Sequence, residues 1–139
     1  MRNNFLAIAV IILSTTSAFA NPTIKDLIGK YAGSGIGMPH TPTCKVVIDR
    51  LPSLERTRDE MYILIRSDVG ARVLLTTEQD LLSSISGRAL NLQVQGQGQD
   101  ILNLSIQLDE NNLPDKLYLT NRVGDRSIPL ANCTIKETH

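Results

Sequence analysis

Along most of this chain, apolar residues return at every second position. In the segment Cys44–Asp49, the residues Cys44, Val46 and Ile48 fall on one side. Met61, Ile63 and Ile65 do the same in the next run, and Ala71, Val73 and Leu75 in the one after it. The clearest alternation follows. Leu90, Leu92 and Val94 alternate with Asn91 and Gln93, and Leu102, Leu104, Ile106 and Leu108 alternate with Asn103, Ser105 and Gln107. Leu117 and Leu119 continue the pattern, and Ile128–Ile135 closes it. Successive side chains of a strand point to opposite faces, so this is the signature of strands with one buried and one wet side.

Turn residues punctuate the runs. Asp68-Val69-Gly70, the stretch Gly96–Asp100, the stretch Asp109–Asn112 with Pro114 beyond it, and Gly124-Asp125 each separate two apolar runs. Connections this short join antiparallel neighbours. Pro22–Lys30 breaks the period of two. Thr23 followed by Asp26 predicts a capped helical turn, with Ile24, Leu27 and Ile28 on its apolar side. Thr76–Leu82 fits either one turn of helix or a loop. The expectation is an all-β domain of about eight strands, preceded by a short N-terminal helical turn. It would form a single antiparallel up-and-down barrel, which removes exposed edges, or else a two-sheet sandwich.

The N-terminus changes where this domain is expected to work. Arg2 in a short polar start, the apolar run Phe5–Leu13, and the ending Ala18-Phe19-Ala20 have the order of a cleaved signal peptide. The apolar run is shorter than the ~20 residues that a spanning helix needs. The expected division is therefore a signal peptide at 1–20 and one domain at 21–139, exported to the periplasm or medium. No cysteine follows the cleavage site, so a lipoprotein is not expected.

Export makes the two cysteines informative. Cys44 and Cys133 lie 89 positions apart, and in an oxidising compartment they are expected to pair. Closing so long a loop stabilises by about 4–5 kcal/mol in the chain-entropy model. The bond would tie the second strand to the last, which a closed meander accommodates.

Composition narrows the function classes. Loss of Arg2 with the leader leaves one more acidic than basic residue, and the charges are interspersed. There is no basic footprint for nucleic acid and no polybasic run for anionic lipid. Tryptophan is absent and aromatics are few, which disfavours stacking platforms. The only histidines are His40, in a loop, and His139, the last residue. They make no metal site, and no metal or other cofactor is expected. Gly33-Ser34-Gly35 lacks the G-x-S-x-G spacing of a hydrolase elbow, and Gly33–Gly37 lacks the spacing of a dinucleotide loop. Asp109, Asn111 and Asp115 miss the glycine and glutamate of a calcium loop. No catalytic residues are expected.

The segment Leu27–Gly35 resembles the opening of calycin-type barrels, the lipocalins and nitrobindins among them. In those a short helix leads into G-x-W on the first strand, which nitrobindins extend to G-x-W-x-G-x-G. Gly29, Gly33 and Gly35 match the glycines, and Tyr31 stands in the tryptophan's place. The resemblance implies a barrel that holds a small apolar ligand. The late histidine that holds haem in nitrobindins has no counterpart within the late strands.

The expected activity is therefore non-catalytic binding of an apolar small molecule inside the barrel. Val46, Ile48, Ile63, Ile65 and Val73 would line the first half of that interior, and Leu90, Leu92, Val94, Leu104 and Ile106 the second. An eight-strand barrel either fills its interior with side chains or holds one small ligand. The alternative is a filled core with functional loops: an interaction or inhibitor module for an envelope protein. The loops Ile36–Thr43 and Leu51–Glu60, the second holding the dense charged stretch Glu55–Glu60 with Arg56 and Arg58, would then meet the partner.

Overall fold

A computed structural model describes residues 22–35, 43–52, 59–68, 70–95, 98 and 100–138. The expected signal peptide and both histidines lie outside these residues, as do Arg56 and Arg58. The chain forms α1 (Ile24–Leu27), β1 (Gly29–Gly35), β2 (Thr43–Arg50), β3 (Glu60–Ser67) and β4 (Gly70–Thr77). It continues through α2 (Glu78–Ser83), β5 (Ile85–Ser86), β6 (Ala89–Gln95), β7 (Ile101–Leu108), β8 (Pro114–Val123) and β9 (Arg126–Glu137). All nine strands belong to one antiparallel sheet in the order β4-β3-β2-β1-β9-β8-β7-β6-β5. The sheet curls into a half-barrel. The expected eight strands are all present, and the two-residue β5 is the ninth.

The helix at the start follows from its cap. The Asp26 carboxylate accepts hydrogen bonds from the Thr23 backbone N–H at 2.8 Å and from its hydroxyl at 2.9 Å. These bonds favour the ionised carboxylate and hold Asp26 below its usual pKa, the backbone bond contributing most. The turn presses Ile24 and Leu27 into the core. The ambiguous stretch after β4 resolves as helix: the Thr77 hydroxyl caps α2 by accepting from the Asp80 N–H at 3.1 Å. The Leu81 side chain of α2 is fully buried.

Two features of the sheet differ from the expectation. The first is closure. The disulfide Cys44–Cys133 is present, but β2 and β9 are not neighbours. β1 lies between them and pairs with both, Gly33 opposite Cys44 on one side and Gly35 opposite Cys133 on the other. The chain ends thus meet in mid-sheet, and the break falls between β4 and β6. These strands approach within 8 Å at Cα, yet no register pairs them. α2 and β5 carry the chain from one side of this seam to the other.

The second is the phase of β4. Its inner position is Leu74, which lies opposite Ile63 and has no exposed surface. Val73 and Leu75 point outward and are 56% and 59% exposed. The expected inward row of Ala71, Val73 and Leu75 is therefore the outer row. Register against β3, and not the local pattern, decides the face, because a one-residue shift exchanges every side chain of a strand.

Candidate functional site

The inner face is aliphatic through most of its depth. Val46, Ile48, Ile63, Ile65, Leu90, Leu104 and Ile106 are at most 1% exposed, and Leu92 is 8% exposed. Little space adjoins them: Ile65 borders a void of about 10 Å³, and Leu92 and Leu104 border an open depression of about 400 Å³ shared with Tyr118 and Thr120. These eight expected lining residues pack against one another in a filled core. Each contributes about 1.5–3 kcal/mol by leaving water.

Open space lies at the seam. A cavity of about 620 Å³ is bordered by Ala71, Arg72 and Val73 of β4, Val94 and Gln95 of β6, Asp100 and Leu102 at the start of β7, and Asn121 of β8. Of the expected lining residues only Val94 and Val73 border it, and Val73 does so from the outer row. The void of only about 10 Å³ is separate from it and lies between Ile65, Ser67, Gly70, Arg72, Leu119 and Leu130. The cavity is thus a mouth above a packed interior.

Three polar residues at this mouth continue the inner rows of their strands. Arg72 lies two positions before Leu74 and opposite Ile65. Asp100 lies two positions before Leu102, and Asn121 lies two positions after Leu119 and opposite Leu102. The inner face therefore changes from aliphatic to polar towards one end of the barrel. Sequence reasoning missed all three. Asp100 reads as part of a turn, Arg72 alternates with the expected inward row of Ala71, Val73 and Leu75, and nothing in the local pattern singles out Asn121. The available signal was phase, since each falls in step with a buried leucine.

The hydrogen bonding of this rim is incomplete. Asn121 Nδ2 donates to Asp100 Oδ2 at 3.3 Å. Only the amide nitrogen can donate to a carboxylate, so this bond fixes the amide orientation and leaves Oδ1 facing elsewhere. That Oδ1 is buried and has no partner. A buried acceptor without a donor costs about 1–3 kcal/mol. Arg72 donates from Nη1 to the Ala71 carbonyl at 3.1 Å. An ion pair joins Arg50 to Glu78, at the opposite end of β4 from this rim.

Tyr31 sits at the opposite pole of the chemistry. Its ring is 1% exposed, and its hydroxyl donates to the Leu27 carbonyl at 2.8 Å. Burial, with smaller contributions from Glu137 and Asp26, pushes its pKa up to about 12. It is a structural tyrosine that locks α1 onto β1. Among the described residues no three His, Cys, Asp or Glu side chains cluster for a metal ion. No helix among them is long and apolar enough to cross a membrane.

Comparison with protein families, curated proteins and solved structures finds no match to this chain.

Proposed function

We propose that this chain is an exported, non-catalytic binding protein for a small molecule with an apolar body, and that the ligand sits in the seam between β4 and β6. The observation that carries this reading is the cavity of about 620 Å³, a size within the ~300–1,000 Å³ usual for small-molecule sites. Ala71, Val73, Val94 and Leu102 supply its apolar wall. The calycin-like opening, with Tyr31 in the core, agrees with a barrel of the ligand-holding kind. The disulfide is compatible with an oxidising compartment, periplasm or medium. The filled interior moves the expected site from the barrel axis to its open side.

Native mass spectrometry of protein purified without detergent tests the proposal, together with displacement of a fluorescent fatty-acid probe. Co-purified mass or displaceable probe supports it. A homogeneous apo mass with no probe binding rejects it.

One observation favours the second reading, an interaction module. Val73 and Leu75 stand exposed on the outer face opposite half-buried Leu64 and Tyr62, an apolar cross-strand patch on the last strand of the sheet. Exposed apolar patches mark partner surfaces when they are contiguous. Loss of a native partner on Leu75→Asp, with small-molecule binding unchanged, would separate this reading from the first.

A further inference from the structure

The outer face of β6–β9 carries a recess of its own. Strand register lines its side chains up in rows that run across the strands. Asn91 of β6 lies opposite Ser105 of β7, Ser105 opposite Tyr118 of β8, and Tyr118 opposite Asn132 of β9. Beside that row, Gln93 lies opposite Asn103, and Asn103 opposite Thr120. Neighbouring strands are about 4.8 Å apart, so the longer row spans about 14 Å. The surface over these rows is sunken. The depression of about 400 Å³ at Asn91, Gln93 and Asn103 adjoins another of about 190 Å³ at Gln107, Lys116 and Asn132, and Ser105 and Tyr118 border both. Together they make a shallow trough with Tyr118 at its middle. None of these residues borders the seam cavity.

The chemistry of this trough is uniform. Its outward side chains are amides and hydroxyls, and Lys116 at one end is the charged one among them. The leucines beneath, Leu92, Leu104 and Leu117, are buried, so the exposed apolar group is the Tyr118 ring, 45% exposed. Among the described residues no hydrogen bond engages the side-chain amides of Asn91, Gln93, Asn103 and Asn132 or the Tyr118 hydroxyl. Their donors and acceptors are free for a ligand. We propose that the trough binds a neutral oligosaccharide. A carboxamide offers two N–H donors and a carbonyl acceptor, so one amide can bond two neighbouring sugar hydroxyls, each of which both donates and accepts. Tyr118 offers an apolar surface to the C–H face of a sugar ring, and its hydroxyl offers a further hydrogen bond. One tyrosine is no stacking platform, and recognition rests on the amides. Other partners lack their anchors here: an anionic polymer needs clustered cations, and a protein partner needs an apolar centre.

Each hydrogen bond to a sugar replaces one to water, so a single contact adds little and several amides must be engaged together. The trough and the seam share no lining residue, so either site can fail without the other. The test is retention of the labelled protein on an array of neutral hexasaccharides of glucose (α- and β-linked), mannose, galactose and N-acetylglucosamine, with polygalacturonate as the acidic probe. Retention on at least one neutral series is expected, and high salt should leave it unchanged, because no ion pair carries it. Tyr118→Ala and Asn103→Ala should each weaken binding of that hexasaccharide about tenfold, as loss of one or two contacts implies. Tyr118→Phe keeps the ring and should retain most of the affinity. These side chains point outward, and circular dichroism checks that each variant folds. Three results overturn the proposal: no neutral series retains the folded wild-type protein, polygalacturonate alone retains it and salt releases it, or Tyr118→Ala and Asn103→Ala bind as wild type does.

Discussion

The Cα atoms of Cys44 and Cys133 lie 6.3 Å apart although a whole strand separates β2 from β9 in the sheet. Two strand spacings amount to about 9.5 Å in a flat sheet. The disulfide therefore marks a place where the sheet curls sharply, and β1 passes through that curl at Gly33. A β-carbon on Gly33 would overlap the Thr134 carbonyl and press on the Ile135 backbone. Only glycine lets β1 and β9 come so close.

Reduction should therefore loosen the curl as well as lengthen the free chain. The double variant Cys44→Ala/Cys133→Ala is expected to lose about 2–5 kcal/mol in urea unfolding. Gly33→Ala should destabilise to a similar or larger extent with the disulfide intact. An unchanged midpoint for Gly33→Ala would mean that β1 does not run against Thr134 as described.

The face of β4 gives a paired prediction. Leu74→Ala removes a fully buried side chain and should cost about 2–5 kcal/mol. Val73→Ala, on the exposed outer row, should change stability by less than ~0.5 kcal/mol. The opposite ranking would restore the inward row that the local pattern suggests.

Tyr31 predicts an alkaline limit. Its folded pKa, about 12, lies above the ordinary value of 10.0. A raised acid pKa means that folding favours the protonated phenol. The stabilisation is complete below pH 10 and is lost as pH rises towards about 12. Tyr31→Phe should cost about 1 kcal/mol at neutral pH through the unpaired Leu27 carbonyl. It should also flatten the fall of stability in the alkaline window. Parallel pH–stability curves for the two proteins would contradict this.

Much of the fold is legible in the sequence because its signal is local. The strict alternation at Leu90–Val94 and Leu102–Leu108 leaves one choice of face, and Thr23 with Asp26 writes the helix start directly. The phase of β4 is not legible in the same way. Leu74 sits between Val73 and Leu75, so both parities carry large apolar residues and only pairing with Ile63 decides. The seam is less legible still. Nothing near β4 or β6 announces that they remain unpaired, since closure depends on the curvature of all nine strands. The cystine points to a meeting of early and late chain, and that meeting occurs, but through β1 in mid-sheet. The polar rim escaped notice because Arg72, Asp100 and Asn121 are ordinary surface residues by type. Only their step with Leu74, Leu102 and Leu119 sets them apart.

The seam as the binding site is tested most directly by filling it. Val94 lines the cavity at its β6 wall and packs beside the core without being part of its most buried layer. Val94→Trp should occupy the space a ligand body needs. Displacement titration of a fluorescent fatty-acid probe, run on wild type and Val94→Trp with folding checked by circular dichroism, should show binding weakened at least about tenfold in the variant, the loss of one well-placed apolar contact surface. Equal probe affinity in the two folded proteins would contradict the account and place binding outside the β4–β6 seam.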